Sequence, residues 1–296
     1  MSSPADDKDD DERVRRDLHE QNRRSWNRAT QAHNDHKRDQ AGFLRSGGLT
    51  LFPEERELLG ELSGRSLLHL SCNCGQDTLS LARLGARVTG VDISDAAIAF
   101  ATQLAADSGL AGRFERADVY DWLPRAAHER RSFDRVFMSY GVLGWLSDLA
   151  TLFADVARVL APGGRLVLVE FHPFALMLDE QGRFAYPYTS SGVARTEAGG
   201  VGDYVGLSGS ALTPSDWQAG EPDFVNVEAS HEFQWSLADV VAAVLRAGLR
   251  LERLHEWPYA NGWQPLANMR DLGAGRFAAP ATQDTLPLMF GLSAAR

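Results

Sequence analysis

Three features of the sequence predict an α/β fold built on a doubly wound parallel sheet. Short apolar runs alternate with segments of helical periodicity over residues 66–170. The first of these units, residues 66–85, is typical of a strand, a turn, a helix and a glycine stop. The chain has 296 residues, and 44% of them are hydrophobic, which is enough for a sizeable buried core.

The segment before the predicted sheet has an acidic and then a helical part. Residues 1–12 contain six acids against the single base Lys8, so about half of the formal net charge of −10 falls there. Because this segment is poor in apolar residues, we expect a disordered tail. Residues 13–62 predict a helical cap, with one or two helices up to Arg38 and a short helix that Pro53 opens.

The predicted α/β core spans residues 63–171. Its strands are expected at 66–70, 87–92, 113–118, 133–139 and 163–170. Residues 172–232 break the pattern, since glycine, proline and aromatic residues dominate them, and a loop-rich stretch of this length is typical of a lid or a substrate-binding insert. A helix over 236–247, a strand over 249–257 and an apolar run at 286–290 then assign residues 233–296 to the core again.

Composition argues against several classes of protein. A pI near 5.3 without a basic stripe disfavours nucleic acid as a partner, because each phosphate contact needs Lys or Arg. No apolar run reaches the roughly 18 residues of a membrane-spanning helix, and no signal peptide is visible. Cys72 and Cys74 are too few for a closed zinc site, and in extended chain their Cα atoms lie roughly 6.5 Å apart, near the upper limit for a disulfide, so an unstrained bridge is not expected. We therefore expect a cytoplasmic protein without a membrane partner or a metal.

The turn after the first strand limits the choice of ligand. Ligands of open parallel sheets bind beyond the carboxyl ends of the strands. A dinucleotide turn needs three glycines, whereas this one has Ser71, Asn73 and Gln76 in those places and only Gly75 as a glycine. No triphosphate-binding G-x-x-x-x-G-K-[ST] motif is present. Phosphate-bearing cofactors are therefore disfavoured.

An adenosine-containing ligand without phosphate agrees with two aspartates. Asp92 ends the second strand, where its oxygens could accept hydrogen bonds from both ribose hydroxyls. Asp118 ends the third strand, where it could accept one from the adenine amine. Each aspartate alone could equally be a helix cap or a loop residue, so the interpretation depends on the pair.

These and other motifs resemble the class I S-adenosylmethionine-dependent methyltransferases. The turn L-H-L-x-C-x-x-G-x-D-T-L is similar to that of a bacterial small-molecule branch, in which it replaces the usual acidic, glycine-rich turn. The resemblance covers about residues 20–296, and its further matches lie at 88–94, 133–136, 160–164, 170–173 and 286–290. It implies a Rossmann-like methyltransferase fold with a seven-stranded, mostly parallel sheet whose last strand is antiparallel, and S-adenosyl-L-methionine as cofactor.

The resemblance also implies which residues meet the cofactor. His69 stands where most of the superfamily has an acid, and we interpret it as a hydrogen-bonded structural histidine. The methionine end of the cofactor would then be met by the turn backbone, by Gln76 and Asp77, and by the helix that begins at Thr78. The predicted cofactor-binding residues are Trp26, Ser71, Cys72, Gly75, Gln76, Asp77, Thr78, Asp92, Ile93, Ser94, Asp118, Val119, Ser139 and Tyr140.

Methyl transfer from a sulfonium is an in-line displacement that needs positioning and exclusion of water. Trp26, Tyr140 and Trp145 could face the sulfonium through cation–π attraction, or could simply be core residues. His172, just beyond the fifth strand, could remove a proton from the acceptor, or could be a turn residue beside Pro173. His172 and Tyr140 are therefore the predicted catalytic residues.

Other histidines are weaker candidates. His33 and His36 could form a metal pair or carry a base, but solvated positions on a helix are the preferred interpretation. His231 and Glu232, at the end of the insert, could contact substrate.

The acceptor is predicted to be a small molecule, methylated at oxygen or nitrogen. Residues 139–142 lack the [DN]-P-P-[YFW] motif that methyltransferases of nucleic-acid exocyclic amines carry. Two alternatives are a cyclase or decarboxylase that uses the bound cofactor without transferring its methyl group, and a non-catalytic scaffold. The expected assembly is a monomer or a homodimer.

Overall fold

The computed structural model describes residues 13–283 and 285–296, so the predicted acidic tail lies outside the described residues. The strands are β1 (Ser66–Leu70), β2 (Arg87–Asp92), β3 (Arg113–Arg116), β4 (Phe133–Ser139), β5 (Leu160–Phe171), β6 (Arg195–Glu197), β7 (Ser230–Glu232), β8 (Arg250–Trp257), β9 (Tyr259–Asn261), β10 (Arg270–Gly273), β11 (Arg276–Ala278) and β12 (Met289–Ala295).

The helices are α1 (Arg16–Asp35), α2 (Gln40–Arg45), α3 (Pro53–Leu59), α4 (Gln76–Arg83), α5 (Asp95–Ser108), α6 (Val119–His128), α7 (Leu149–Val159), α8 (Tyr204–Ser208) and α9 (Leu237–Arg246). Short 3-10 helices lie at Leu143–Trp145, Ala175–Met177, Gly209–Leu212 and Ala281–Gln283.

A seven-stranded sheet in the order β3-β2-β1-β4-β5-β12-β8 confirms the predicted fold class. β1 pairs in parallel with both β2 and β4, so the strand order reverses beside β1. β12 pairs antiparallel with β5 and β8, as the resemblance implies. The crevice between β1 and β4 is therefore the place where such a fold binds its ligand.

Apolar side chains bury both faces of this sheet. On one face, α6, α7 and α9 cover the sheet with a cluster that includes Trp122, Phe153 and Val240. On the other face, α3 and α4 contribute Leu58 and Leu81 to a second cluster. Strands buried on both faces have nearly continuous apolar sequences, which is why β1, β4 and β5 were predictable.

Several parts of the fold differ from the expectation; β3 ends at Arg116 and β5 begins at Leu160, for example. The helix α6 was not predicted, and β12 begins at Met289 and runs to Ala295, further than the apolar run at 286–290. Residues between β8 and β12 also form a separate three-stranded sheet in the order β10-β11-β9. Its strands have three or four residues each, which is too short for a pattern of alternation to be recognised.

The insert, residues 172–232, is fastened to α1 by polar side chains. Asn22 and His231 exchange two hydrogen bonds, from Asn22 Nδ2 to His231 O at 2.8 Å and from His231 N to Asn22 Oδ1 at 2.7 Å. Asn226 Nδ2 donates to Ser25 O at 3.0 Å, and Val201 N donates to Ser25 Oγ at 2.9 Å. We call α1 and the insert together the roof, because side chains of both line the cavity described below.

Both cysteines are buried free thiols, as expected from their spacing. Among the described residues, no helix has the length and the apolar character needed to cross a membrane.

Candidate functional site

A cavity of about 1310 Å³ opens at the carboxyl ends of β1, β2, β4 and β5. The roof and the sheet β10-β11-β9 contribute the rest of its wall. Ligand pockets usually measure about 300–1,000 Å³, so this cavity has room for a nucleoside cofactor and a second small molecule together.

The turn after β1 forms without the usual glycines. Ser71, Asn73 and Gly75 have φ values of 52°, 47° and 75°, in the left-handed region. Asparagine tolerates this conformation better than most residues, and here Asn73 Oδ1 also accepts a hydrogen bond from Cys74 N at 2.7 Å. A Cβ on Gly75 would lie 2.7 Å from the Cβ of Ala101, so this position requires glycine. Asparagine and serine therefore replace two glycines at this turn.

Asp92 connects the turn to the cavity. Its Oδ2 accepts a hydrogen bond from Asn73 N and its Oδ1 accepts one from Ser94 N, each at 2.8 Å. Burial raises the pKa of Asp92, and these backbone donors lower it in part. A carboxylate has about four lone-pair sites, so Asp92 can still accept hydrogen bonds from a ligand in the cavity that it lines.

Asp118 is paired with a histidine of α1 that the sequence did not single out. His19 Nδ1 lies 2.7 Å from Asp118 Oδ2, and Tyr120 N donates to Asp118 Oδ1 at 2.9 Å. The His19 ring stacks on Tyr120, and the buried Nε2 has no hydrogen-bond partner within the described part of the chain. Asp118 thus caps α6 and orients His19, and both side chains line the cavity.

A second polar region lies where α1, α2 and the turn meet. Burial lowers the pKa of Lys37 and raises that of Asp77, while each charge partly offsets the shift of the other. The Thr50 hydroxyl donates to Asp77, and Gln76 Nε2 donates to Gln40 Oε1 at 2.8 Å. Lys37 and Asp77 place opposite charges in the wall of the cavity.

Tyr140 follows β4 with a φ of 45° and lines the cavity. Its phenol oxygen accepts a hydrogen bond from Asn261 Nδ2 at 2.8 Å. Burial raises the pKa of Tyr140 well above its usual range, and the nearby carboxyl of Glu55 adds to this effect. The phenol is therefore neutral and can donate a hydrogen bond of its own.

Most of the predicted cofactor-binding residues come together at the cavity. Trp26 and Trp145 meet edge to face, with ring centroids 5.3 Å apart. The residues of the prediction that line the wall are Trp26, Ser71, Cys72, Gln76, Asp77, Asp92, Ile93, Asp118, Val119, Ser139 and Tyr140.

Gly75, Thr78 and Ser94 are not part of the cavity wall. The Thr78 hydroxyl bonds His69 Nδ1 at 2.8 Å, and Ser94 Oγ caps α5 by accepting from Ala97 N at 3.1 Å. Burial lowers the pKa of His69 to about 3, which agrees with the interpretation of a structural, neutral histidine. Gly75, Thr78 and Ser94 thus support the turn and its helices from behind, whereas His69 also lines the cavity.

His172, predicted to be catalytic, is not in the cavity wall. Its Nε2 lies 2.8 Å from Glu256 Oε1, and its Nδ1 accepts a hydrogen bond from Phe174 N at 3.1 Å. Burial lowers the pKa of His172, and Glu256 partly restores it. With both ring nitrogens engaged, His172 is placed as a turn residue.

The expectation that His33 and His36 are solvated is wrong, because only 3% and 6% of their surfaces are exposed. His33 Nε2 contacts Gly202 O at 2.9 Å, and His36 Nε2 contacts Asp203 Oδ2 at 2.6 Å. Both histidines therefore join α1 to the insert. His231 bonds Gln21 and Thr196 and does not line the cavity, whereas Glu232 does.

Four further residues in the cavity wall, His19, Lys37, Glu55 and Asn261, were missed by reasoning from the sequence. None of them follows a strand of the parallel core, so strand-end position could not indicate them. Glu55 lies in the first turn of α3, which the sequence predicts only as a short helix opened by Pro53.

Comparison with known proteins agrees with this geometry. A family model described as a methyltransferase domain matches residues 67–164. A demethylmenaquinone methyltransferase of Tropheryma whipplei is 35% identical over 124 residues, which are 40% of this chain and 46% of that protein. The chain thus matches less than half the length of this curated relative.

Two solved structures share the fold. An S-adenosylmethionine-dependent methyltransferase of Listeria monocytogenes has a TM-score of 0.52 and 16% identity, covering 82% of this chain and 96% of the other. One from Mesorhizobium loti has a TM-score of 0.50 and 21% identity, covering 85% and 100%. The chain therefore contains a methyltransferase domain and has the fold of the class I S-adenosylmethionine-dependent methyltransferases.

Proposed function

We propose that this chain transfers a methyl group from S-adenosylmethionine to an oxygen or nitrogen atom of a small molecule. The observation that carries this proposal is Asp92, a buried carboxylate at the end of β2 that faces a cavity large enough for two ligands. The cavity lies at the strand-order reversal of a matched methyltransferase domain.

The polar groups of the cavity fit the nucleoside half of this cofactor. Asp92 would accept hydrogen bonds from the ribose hydroxyls. Asp118 and the unpartnered Nε2 of His19 would meet the edge of the adenine, whose ring would lie against Ile93 and Val119. An orphaned buried nitrogen is costly, so a ligand that pairs with it gains affinity.

The methionine half carries one negative and one positive group, and it fits the second polar region. Lys37 would pair with the carboxylate, and Asp77 would pair with the ammonium. In each case the ligand would supply a counter-charge to a half-buried group whose pKa is shifted by loss of water.

When bound, the cofactor supplies an electrophilic methyl group on a sulfonium. The chain's own contribution is to orient the two ligands and to exclude water. Trp26, Trp145 and Tyr140 present aromatic side chains in this part of the wall, and such faces attract a cation.

A small acceptor agrees with the size and the enclosed, aromatic lining of the cavity. The curated relative from Tropheryma whipplei is named for a quinone-type acceptor, and this name also favours a small molecule. The missing base-methylation motif argues in the same direction.

The test is calorimetry of S-adenosylhomocysteine binding to wild type, Asp92→Ala and Asp92→Asn. We expect wild type to bind, and Asp92→Ala to bind at least about tenfold more weakly, because charged hydrogen bonds contribute about 1.5–3 kcal/mol each. Asp107→Ala, at an exposed position on α5, is the matched control and should bind like wild type.

Absence of binding by wild type would contradict the proposal, and full affinity in both Asp92 variants would contradict the ribose assignment. Formation of S-adenosylhomocysteine with an acceptor would separate methyl transfer from the cyclase or decarboxylase alternative.

A further inference from the structure

Two residues of the cavity wall each carry a buried hydrogen-bond acceptor that has no partner among the described residues. These acceptors are Oε1 of Glu55 and Oδ1 of Asn261. Each residue has only 1% of its surface exposed, so bulk water does not satisfy these atoms. A buried polar atom without a partner costs about 1–3 kcal/mol, which suggests that a ligand completes this part of the site.

The orientation of Asn261 is fixed by its other contacts. Its Nδ2 donates to Glu54 Oε2 at 3.0 Å and to Tyr140 Oη at 2.8 Å, which uses both amide hydrogens. A flipped amide would turn its carbonyl oxygen toward the carboxylate of Glu54. Oδ1 is therefore the atom left for the cavity.

Glu54 in turn is held firmly. Its Oε1 accepts hydrogen bonds from Tyr259 Oη at 2.8 Å and from Arg276 Nη2. These partners belong to β9 and β11, so the small C-terminal sheet fixes the start of α3 beside the end of β4. The side chain of Glu55, the next residue, has its Oε2 bonded to Phe52 N, which leaves Oε1 for a ligand.

We propose that Glu55 and Asn261, with the Tyr140 phenol beside them, bind the methyl acceptor through a hydroxyl or amine hydrogen, and that Glu55 removes this proton. The inference rests on the proposed function and names its substrate class. Hydrogen-bond acceptors in the cavity wall require a donor, and an oxygen or nitrogen that is to be methylated carries one.

The surroundings require the rest of this acceptor to be apolar. The ring of Tyr140 contacts those of Phe52 and Phe171, with centroid distances of 6.1 Å and 5.5 Å, and the Trp263 ring lies 4.3 Å from that of Phe171. All four aromatic side chains line the cavity. The acceptor class is therefore a hydroxyl or amine on an apolar, flat body.

Proton removal also agrees with the environment of Glu55. Burial raises its pKa well above the usual range and the carboxylate of Asp77 raises it further, while Phe52 N and the nearby Tyr140 phenol lower it in part. Glu55 takes a proton only in its ionised form, so the transfer requires a pH at which the carboxyl is ionised, and the raised pKa then makes that carboxylate a stronger base. As the acceptor atom would gain the methyl group, the methyl–sulfur bond would break with its electron pair left on sulfur, the acceptor's bond to hydrogen would break, and the proton would move to Oε1; the products would be the methylated acceptor, S-adenosylhomocysteine and protonated Glu55.

The test uses the full chain saturated with S-adenosylhomocysteine, and 2-naphthol and 2-methoxynaphthalene as probes. These two flat molecules differ in the donor hydrogen. Calorimetry with wild type should show at least about tenfold tighter binding of 2-naphthol. In Glu55→Leu this preference should fall below about threefold, whereas Glu55→Gln, whose amide oxygen still accepts a hydrogen bond, should keep most of it.

Glu57→Gln is the matched control on the same helix, because the Glu57 side chain is 71% exposed and meets only Arg253, at 3.6 Å, among the described ion pairs. It should behave like wild type. Thermal unfolding of each variant checks that it is folded, and Glu55→Gln keeps the test usable if Glu55→Leu is not.

Three results would overturn the inference. The first is that wild type binds the two probes equally, or binds neither at millimolar concentration, and the second is that Glu55→Leu keeps the wild-type preference for 2-naphthol. The third is that either Glu55 variant loses more than about tenfold in S-adenosylhomocysteine affinity. The last result would place Glu55 at the cofactor. Wild-type binding of S-adenosylhomocysteine would leave the proposed function standing in all three cases.

Discussion

The sheet core and the roof are held together by different forces. In the core, every residue of β12 is buried, and apolar side chains on both faces of the sheet exclude water. The roof instead exposes large apolar side chains, with Phe184 70%, Leu207 87% and Val225 69% exposed. Its attachment depends on hydrogen bonds between polar side chains and backbone, such as those at Asn22, Ser25 and Asn226.

This difference has an energetic consequence. Apolar burial is non-directional, so the core tolerates small shifts, whereas a set of hydrogen bonds depends on close approach. We therefore expect single changes at the contact between α1 and the insert to separate the roof while leaving the core folded.

The largest effect is expected for Gly200→Ala. The residue has a φ of 60°, and a Cβ there would lie 2.1 Å from Glu228 O and 2.5 Å from Ser25 Oγ. Backbone strain and overpacking together should cost about 2–4 kcal/mol at this contact. Hydrogen exchange should accelerate in residues 16–35 and 195–232, and S-adenosylhomocysteine affinity should fall, while the exchange of β1, β4 and β5 stays slow.

Gly199→Ala is the matched control, because a Cβ at Gly199 meets nothing within 4 Å. Equal exchange in the two variants, or a loss of core protection in Gly200→Ala, would show that roof and core are not separable as we describe.

A smaller effect concerns two of the buried histidines, His69 in the core and His33 in the roof. Burial lowers the pKa of His69 in the core to about 3 and that of His33 in the roof to about 4. Since an exposed histidine titrates near 6.5, the unfolded chain binds the proton first as the pH falls. Stability is therefore lost below pH 6.5, by about 2–3 kcal/mol per residue at pH 4.5.

Urea unfolding at pH 7 and pH 4.5 measures this loss. His69→Leu should reduce the difference between the two pH values by about 2 kcal/mol, and His128→Leu, at an exposed position, should leave it unchanged. For His33→Leu, the pH dependence should be reduced in the roof, so that hydrogen exchange of the roof differs less between pH 7 and pH 4.5 than in wild type. An unaltered pH difference in His69→Leu would contradict the neutral, buried state.

The smallest effect is expected for His172→Gln. The Glu256 side chain that contacts His172 is 51% exposed, so losing this contact should cost about 0.5–1 kcal/mol of stability. S-adenosylhomocysteine affinity should remain within about twofold of wild type. A hundredfold loss of S-adenosylhomocysteine affinity in this variant would show that His172 does take part in binding.

The pattern of apolar residues predicted the core well because each of its strands has an apolar run of several residues. Leu67, Leu68 and Leu70 mark β1 as an apolar run, and comparable runs mark β4 and β5. The strand β10, which contains Arg270 and Asp271, has four exposed residues and no such pattern. Its place depends on pairing with β11, which sequence periodicity does not report.

Strand-end reasoning located part of the site for a similar reason. The position of Asp92 at the end of β2 is enough to bring it to the ligand edge, and the structure has it in the cavity wall. His172 also follows a strand, but its ring turns to Glu256, because side-chain direction after a strand depends on the local turn. Lys37 and Glu55 reach the cavity from segments that precede the sheet, so only tertiary structure shows them.

The hydrogen bonds between α1 and the insert have a consequence for chimeras made from this protein and its relatives. Residues 16–35 and 172–232 lie far apart in the sequence, yet each hydrogen bond between them needs one partner from each segment, as in the bonds of Ser25 with Asn226 and with Val201. A chimera that receives only one of the two segments would present donors to the wrong acceptors. Changing the preference of this protein for a methyl-accepting substrate by exchange of segments therefore requires residues 16–35 and 172–232 to be exchanged together.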